Sequence, residues 1–109
     1  MRVPGIALFL LAASAVAQDA TTGQRLFNRY GCYQCHGGVG QGGMAGPRLA
    51  QTKLPLAAFT AILRNPPPSS MPPYREKTVS VKEVGDLYAY ITSLAEPSPA
   101  KDIPLLNQD

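Results

Sequence analysis

Cys32-Tyr33-Gln34-Cys35-His36 holds both cysteines and the one histidine of this 109-residue chain. That clustering constrains the fold more than any other feature, because each use of a C-x-x-C pair demands its own setting. A thioredoxin-type dithiol expects a βαβ context, whereas the apolar spacing here is helical and no alternating strand is visible. A structural zinc wants four Cys or His ligands, and the chain has three such residues. A plain disulfide would close a very short loop and stabilise little. The use these residues fit best is C-x-x-C-H haem attachment. Each thiol adds to a vinyl group, and two intervening residues let both sulfurs reach neighbouring edges of one porphyrin. The adjacent imidazole then falls under the iron. Cys32 and Cys35 are thus the predicted attachment points of one haem c, and His36 a predicted axial ligand.

The N-terminus carries an export pattern. Met1-Arg2 is a short positive start, 3–13 is almost wholly apolar, and Ala15-Val16-Ala17 offers small residues for cleavage. This is the order of a secretory signal peptide. An uncleaved anchor is the competing reading, but 3–16 falls short of the roughly 20 residues a spanning helix needs. An ordinary core helix fits poorly with Pro4-Gly5 at its start and Gln18-Asp19 after it. The expected division is 1–17 signal peptide, 18–99 folded domain and 100–109 tail, placing the protein in the periplasm with no integral membrane span after cleavage.

Residues 18–109 carry nine Lys and Arg against seven Asp and Glu. The basic residues are scattered, so most are expected to be solvated surface. Nucleic-acid binding would call for a basic stripe, and none is present. A domain this small, with no Trp and ten prolines after residue 17, has a thin core and needs a staple or cofactor.

Three helices are predicted. Asp19 or Thr21 caps the first, which runs to about Tyr30 with Gly23, Leu26, Phe27 and Tyr30 on one side; Gly31 ends it. A loop follows with six glycines among residues 37–46. No Gly-Lys-Ser/Thr follows to make it a phosphate loop, so it is a backbone that turns tightly or passes close to a flat ligand. Pro55 starts the second helix, Leu56 to about Arg64, with Leu56, Phe59, Ile62 and Leu63 on its apolar side; Pro66-Pro67-Pro68 stops it. The third has a capping box in Ser80 and Glu83. Val84, Leu87, Tyr88, Ile91 and Leu94 recur at helical spacing, Tyr90 borders that face, and Pro97 and Pro99 close the helix. Glu83 and Asp86 are placed on its surface. Ile103, Leu105 and Leu106 are available to pack the tail back on the domain.

A second axial ligand is sought among Met44 and Met71. Met71 lies 35 residues after His36, in a proline-fixed loop able to reach the opposite haem face; simple packing is the competing role. Met44, eight residues past His36, would struggle to cross and is expected to pack.

With these residues in view, the chain from about Gly23 to Leu94 resembles class I monohaem cytochromes c. Cys32, Cys35 and His36 match the attachment motif, and Gly46-Pro47-Arg48-Leu49 resembles that family's Gly-Pro-x-Leu segment. Met71-Pro72 is similar to its axial Met followed by Pro. Gly23 and Phe27 resemble the Gly/aromatic pair where the N-terminal helix crosses the C-terminal one, near Leu87, Tyr90 and Ile91. The resemblance implies an all-α cytochrome c fold with those helices crossing beside one covalent haem. It implies that the Pro47 carbonyl accepts a hydrogen bond from the axial His, fixing the ring. The stretch from His36 to Met71 is short for the family, which implies a more open haem edge. Arg48 is a candidate partner for a haem propionate, with exposed surface cation as its alternative. Tyr74 is a candidate to reach a propionate or to pack over the haem rim.

The function expected is one-electron transfer through a His/Met-ligated haem c, by a carrier rather than an enzyme. The resemblance implies redox partners such as a dehydrogenase, a bc1-type complex or a terminal oxidase, or a place as the cytochrome subunit of one dehydrogenase; the tail offers a docking element. The alternative from another class is an open-site haem protein, a gas sensor or peroxidase-like enzyme. It would leave Met71 off the iron and want a distal acid or base, for which Glu83 and Asp86 are poor candidates.

Overall fold

The computed structural model describes residues 2–5, 17–96 and 98–108. Most of the apolar stretch of the predicted signal peptide, residues 6–13, and the helix-closing Pro97 lie outside the described residues. Those described form four α-helices and two short 3-10 turns, with no strand: α1 (Ala20–Arg29), α2 (Cys32–His36), α3 (Leu56–Arg64) and α4 (Val81–Ser93), in the all-α arrangement expected. No helix among them is long and apolar enough to cross a membrane.

Each helix begins and ends for a local reason. Asp19, rather than Thr21, caps α1, its carboxylate accepting from the Thr21 and Thr22 amides. That pins two of the amides a helix start leaves unpaired. Gly31, at φ 75°, ends α1 and opens α2 in a backbone state that suits glycine. Pro55 precedes α3 with φ −68° already set, and Asn65 closes it before the proline run. Both arms of the capping box at Ser80 and Glu83 are made, so α4 starts where the sequence places it. The buried side of α3 is Phe59 and Leu63; Ile62, expected to join them, is turned outward.

α1 and α4 cross tightly, and this crossing is the frame of the molecule. At their contact Gly23 faces the Asp86 carbonyl so closely that a Cβ there would lie 1.9 Å from the oxygen and 2.8 Å from the Tyr90 Cβ. One turn on, Phe27 meets Tyr90 edge-on with centroids 5.3 Å apart. Leu26, Phe27, Val84, Leu87, Tyr90 and Ile91 make one core with Phe59, Leu63 and Val79. Each fully buried member contributes about 1.5–3 kcal/mol.

Two expectations are corrected. Asp86 is not on the surface of α4; it is 1% exposed. Its carboxylate accepts from the Asp19 amide and from Lys82 Nζ, both at 2.8 Å, so it ties the start of α1 to α4. A buried carboxylate needs such partners. The tail does not pack back through its leucines: Leu105 and Leu106 are 78% and 65% exposed.

Candidate haem site

α2 carries the whole attachment motif on one short turn. Cys32 is half-buried and Cys35 exposed, both with free thiols. Burial pushes the Cys32 thiol up, keeping it protonated. Its groove is apolar, lined by Tyr30, Leu63, Tyr74, Val79 and Leu87. Helices α1, α3 and α4 and the segment after Met71 therefore all contribute walls beside one attachment sulfur.

His36 is 8% exposed, and its Nδ1 lies 2.7 Å from the Pro47 carbonyl oxygen. A carbonyl only accepts, so Nδ1 carries the proton and Nε2 keeps its lone pair. That tautomer is the one an imidazole needs to bind metal through Nε2, with the Pro47 carbonyl fixing the ring. The loop from Gly37 to Ala50 exists in this form to deliver that carbonyl. The Gly42 amide donates to His36 O at 2.7 Å, and the Leu49 and Ala50 amides donate to Gly40 O. Gly46 sits against the ring itself: a Cβ there would be 2.9 Å from Cys35 O and 3.0 Å from His36 Nδ1 and Cε1. Glycine before Pro47 is thus a steric requirement of the histidine's seat.

The other predicted residues are not all drawn to one place. Tyr74 shares the Cys32 groove, and its hydroxyl donates to Tyr30 O at 2.9 Å. Burial, and then the two neighbouring thiols, raise its pKa. It stands as a wall with its proton committed to the backbone. Met71 is half-buried and packs against the core cluster that includes Leu63 and Leu87. Arg48 turns along its own loop, donating to Ala50 O at 3.2 Å and to Gln51 Oε1. Met44 does not pack; it is fully exposed. A depression of about 570 Å³, lined by Arg48, Ala50, Gln51, Thr52, Lys53 and Glu96, touches neither cysteine nor His36.

Three residues outside the predicted set shape this site. Gln51, at φ 55°, uses its amide to reach Ile91 O at 3.0 Å and its side chain to reach Leu94 O at 2.6 Å. It thereby fastens the Pro47 loop to the last turn of α4. Tyr30 donates its hydroxyl to Glu83 Oε2 and Thr78 O, at 2.9 and 3.1 Å. Arg64 Nη1 donates to Tyr74 O at 2.9 Å and Val79 O at 2.6 Å. Their partners are mostly backbone carbonyls distant in sequence, which no residue pattern advertises; only the cation at the end of α3 was visible, and there it reads as a surface charge.

These residues fit a covalently held haem. Two thiols stand on one helical turn, one of them in an apolar groove, beside an imidazole whose Nε2 is left basic by a carbonyl on Nδ1. When bound, the haem supplies an iron that takes up and releases one electron.

The family described as "Cytochrome C oxidase, cbb3-type, subunit III" matches residues 18–91, which spans α1 to most of α4. Neither a curated protein nor a solved structure matches the chain. With that match joined to the motif and the all-α fold, the chain belongs to this family, and it is a small c-type cytochrome whose domain serves electron transfer by haem c.

Proposed function

We propose that this cytochrome is a periplasmic one-electron carrier rather than an enzyme, with one haem c joined to Cys32 and Cys35 and its iron held by His36 and Met71. The observation that carries the reading is the 2.7 Å contact from His36 Nδ1 to Pro47 O. It presets the ring as a nitrogen ligand immediately beside the attachment cysteines. Met71 supports it as the second ligand: it is half-buried against the core that walls the Cys32 groove. A thioether opposite an imidazole raises the reduction potential and leaves no open coordination site.

The chain's other residues follow from that assignment. Pro47 orients the ligand and Tyr74 packs at the haem rim. Arg48 is placed to meet a propionate only by leaving Gln51. Tyr33, on the same turn as the two cysteines, is 42% exposed. Electron exchange there needs only a brief, small encounter surface. The family description points to a terminal oxidase as one partner, and a dehydrogenase or bc1-type complex suits the same chemistry. The segment 1–17 is the signal that exports the chain before haem attachment.

The test is spectroscopic. The purified protein is expected to retain its haem in acidified organic solvent, and the ferric form to show the absorption of methionine ligation. Met71→Ala is expected to remove that absorption, lower the reduction potential and admit carbon monoxide to the ferrous iron. Rapid, tight carbon monoxide binding by the wild-type protein at neutral pH would instead establish an open-site haem protein.

A further inference from the structure

Arg64 is the one described residue with a buried side-chain nitrogen, Nη2, that has no hydrogen-bond partner. Its guanidinium has no carboxylate either: the single ion pair among the described residues is Lys82–Asp86. A guanidinium drawn out of water needs hydrogen-bond partners, so what Nη1 holds matters. Nη1 donates to two carbonyls, Tyr74 O at 2.9 Å and Val79 O at 2.6 Å. These two oxygens mark the two ends of one segment. Between them the Thr78 and Val79 amides fold back on Arg75 O, both at 2.9 Å. The Tyr74 amide donates to Leu63 O at 2.8 Å, so Leu63 and Arg64 together grip the start of the segment from the last turn of α3.

We propose that Arg64 is a positioning residue for the iron ligand Met71: by bracing the segment 74–79 against α3, it keeps the methionine sulfur seated on the iron. The inference rests on Met71 being that ligand. Its transmission is mechanical. Only Pro72 and Pro73 separate Met71 from Tyr74, and two prolines have fixed φ angles. A displacement of Tyr74 therefore carries through to Met71 instead of being absorbed. Tyr30 closes the same brace from α1, donating to Thr78 O, and Tyr74 returns a bond to Tyr30 O. Arg64 contributes the charge-assisted bonds of this set, the stronger kind.

The experiment compares wild type, Arg64→Met, Arg64→Lys, Met71→Ala and the Arg64→Met/Met71→Ala pair as holoproteins. The readouts are the ferric methionine-ligation absorption, the reduction potential and the carbon monoxide association rate of the ferrous form. Arg64→Met keeps the aliphatic stem and removes both bonds. Its sulfur-off population, and with it the carbon monoxide rate, is expected to rise at least about tenfold, the factor for losing one charge-assisted hydrogen bond. Arg64→Lys, able to serve one carbonyl, should fall between the two; should Arg64→Met yield no holoprotein, Arg64→Lys carries the test alone. In the Met71→Ala background Arg64→Met should add nothing to the rate, because there is no bond left to open. If Met71→Ala changes neither absorption nor potential, the ligand assignment fails and this proposal falls with it. If Met71→Ala opens the iron, while the Arg64 variants melt earlier with unchanged rate, absorption and potential, Arg64 is only a stabilising residue and the proposal is overturned.

Discussion

Substituting Gly23 by alanine sets two opposing effects against each other in the middle of α1. On an exposed helix face the change would stabilise by about 1 kcal/mol, because alanine is the better helix former. Here the new methyl would begin 1.9 Å from Asp86 O, 2.6 Å from Asp86 C and 2.8 Å from Tyr90 Cβ. Ordinary contact starts at 3.4 Å, so the helices must part by roughly 1.5 Å (3.4 less 1.9) at the crossing. Two of the three obstructing atoms are backbone and cannot rotate away. Overpacking of a filled interface costs about 1–3 kcal/mol and occasionally more. Parting also loosens the Phe27–Tyr90 edge contact, worth about 0.5–1.5 kcal/mol beyond its area. The sum, less the propensity gain, is a net destabilisation of about 0.5–3.5 kcal/mol. For a domain of this size that is a fall of roughly 2–28 °C in the melting temperature. Thermal unfolding of the holoprotein, followed by circular dichroism, reads it directly. Gln24→Ala is the control, since Gln24 is exposed on the same helix and reports propensity without collision. A Gly23→Ala protein as stable as wild type, or more so, would refute the claim that close approach is what requires glycine here.

Tyr90→Ala removes a ring that is 6% exposed and stands against both Phe27 and the Gly23 crossing. Large aromatic truncations of this kind cost about 3–5 kcal/mol, and denaturant unfolding showing less than about 1 kcal/mol would contradict the burial. Acid should loosen both helix starts. The Ser80 amide, and then the Tyr30 hydroxyl, hold the Glu83 carboxyl below its usual range, and the Thr22 hydroxyl and amide do the same for Asp19. A depressed folded-state pKa gives stability that is present above the ordinary carboxylate range, about pH 4, and lost as pH falls through the lowered values. Denaturant midpoints should thus hold from about pH 7 to 5 and drop below about 4; a Glu83→Gln/Asp19→Asn protein with the same acid slope would show that other groups are responsible.

What could be read from the residue string depended on how far apart the interacting groups lie. The start of α4 was legible because a capping box is written within four residues, Ser80 to Glu83. The grouping of Cys32, Cys35 and His36 on one turn was legible for the same reason: the three side chains are neighbours in sequence. The helix crossing was marked by Gly23 and Phe27 on one strip, and Tyr90 does lie against it. Asp86 shows where such signals stop. An acid beside Lys82 at helical spacing looks like a solvated i, i+4 pair, yet its second partner is an amide 67 residues away. Arg64 is hidden more completely, because both its acceptors are main-chain oxygens. Ile62, Leu105 and Leu106 were misread in the opposite sense: aliphatic side chains at plausible positions, left facing solvent because no element among the described residues comes to cover them.

The same geometry says how the two sides of the site are kept in register. The Pro47 loop is hung on α4 by Gln51, through Ile91 O and Leu94 O. The segment after Met71 is hung on α3 by Arg64 and Leu63, and on α1 by Tyr30. Each loop carries bonds of its own and is also tied to a neighbouring helix. The His36 side therefore follows the C-terminal end of α4, and the Met71 side follows α3 and the end of α1. Widening the α1–α4 crossing moves both sets of anchors at once, whereas removing the Arg64 bonds moves only one. Loss of stability and loss of ligand geometry should accordingly go together in a frame variant such as Gly23→Ala and come apart in Arg64→Met. With so small a core, hydrogen bonds from the loops onto α3 and the C-terminal end of α4 add fixed points that packing alone does not supply.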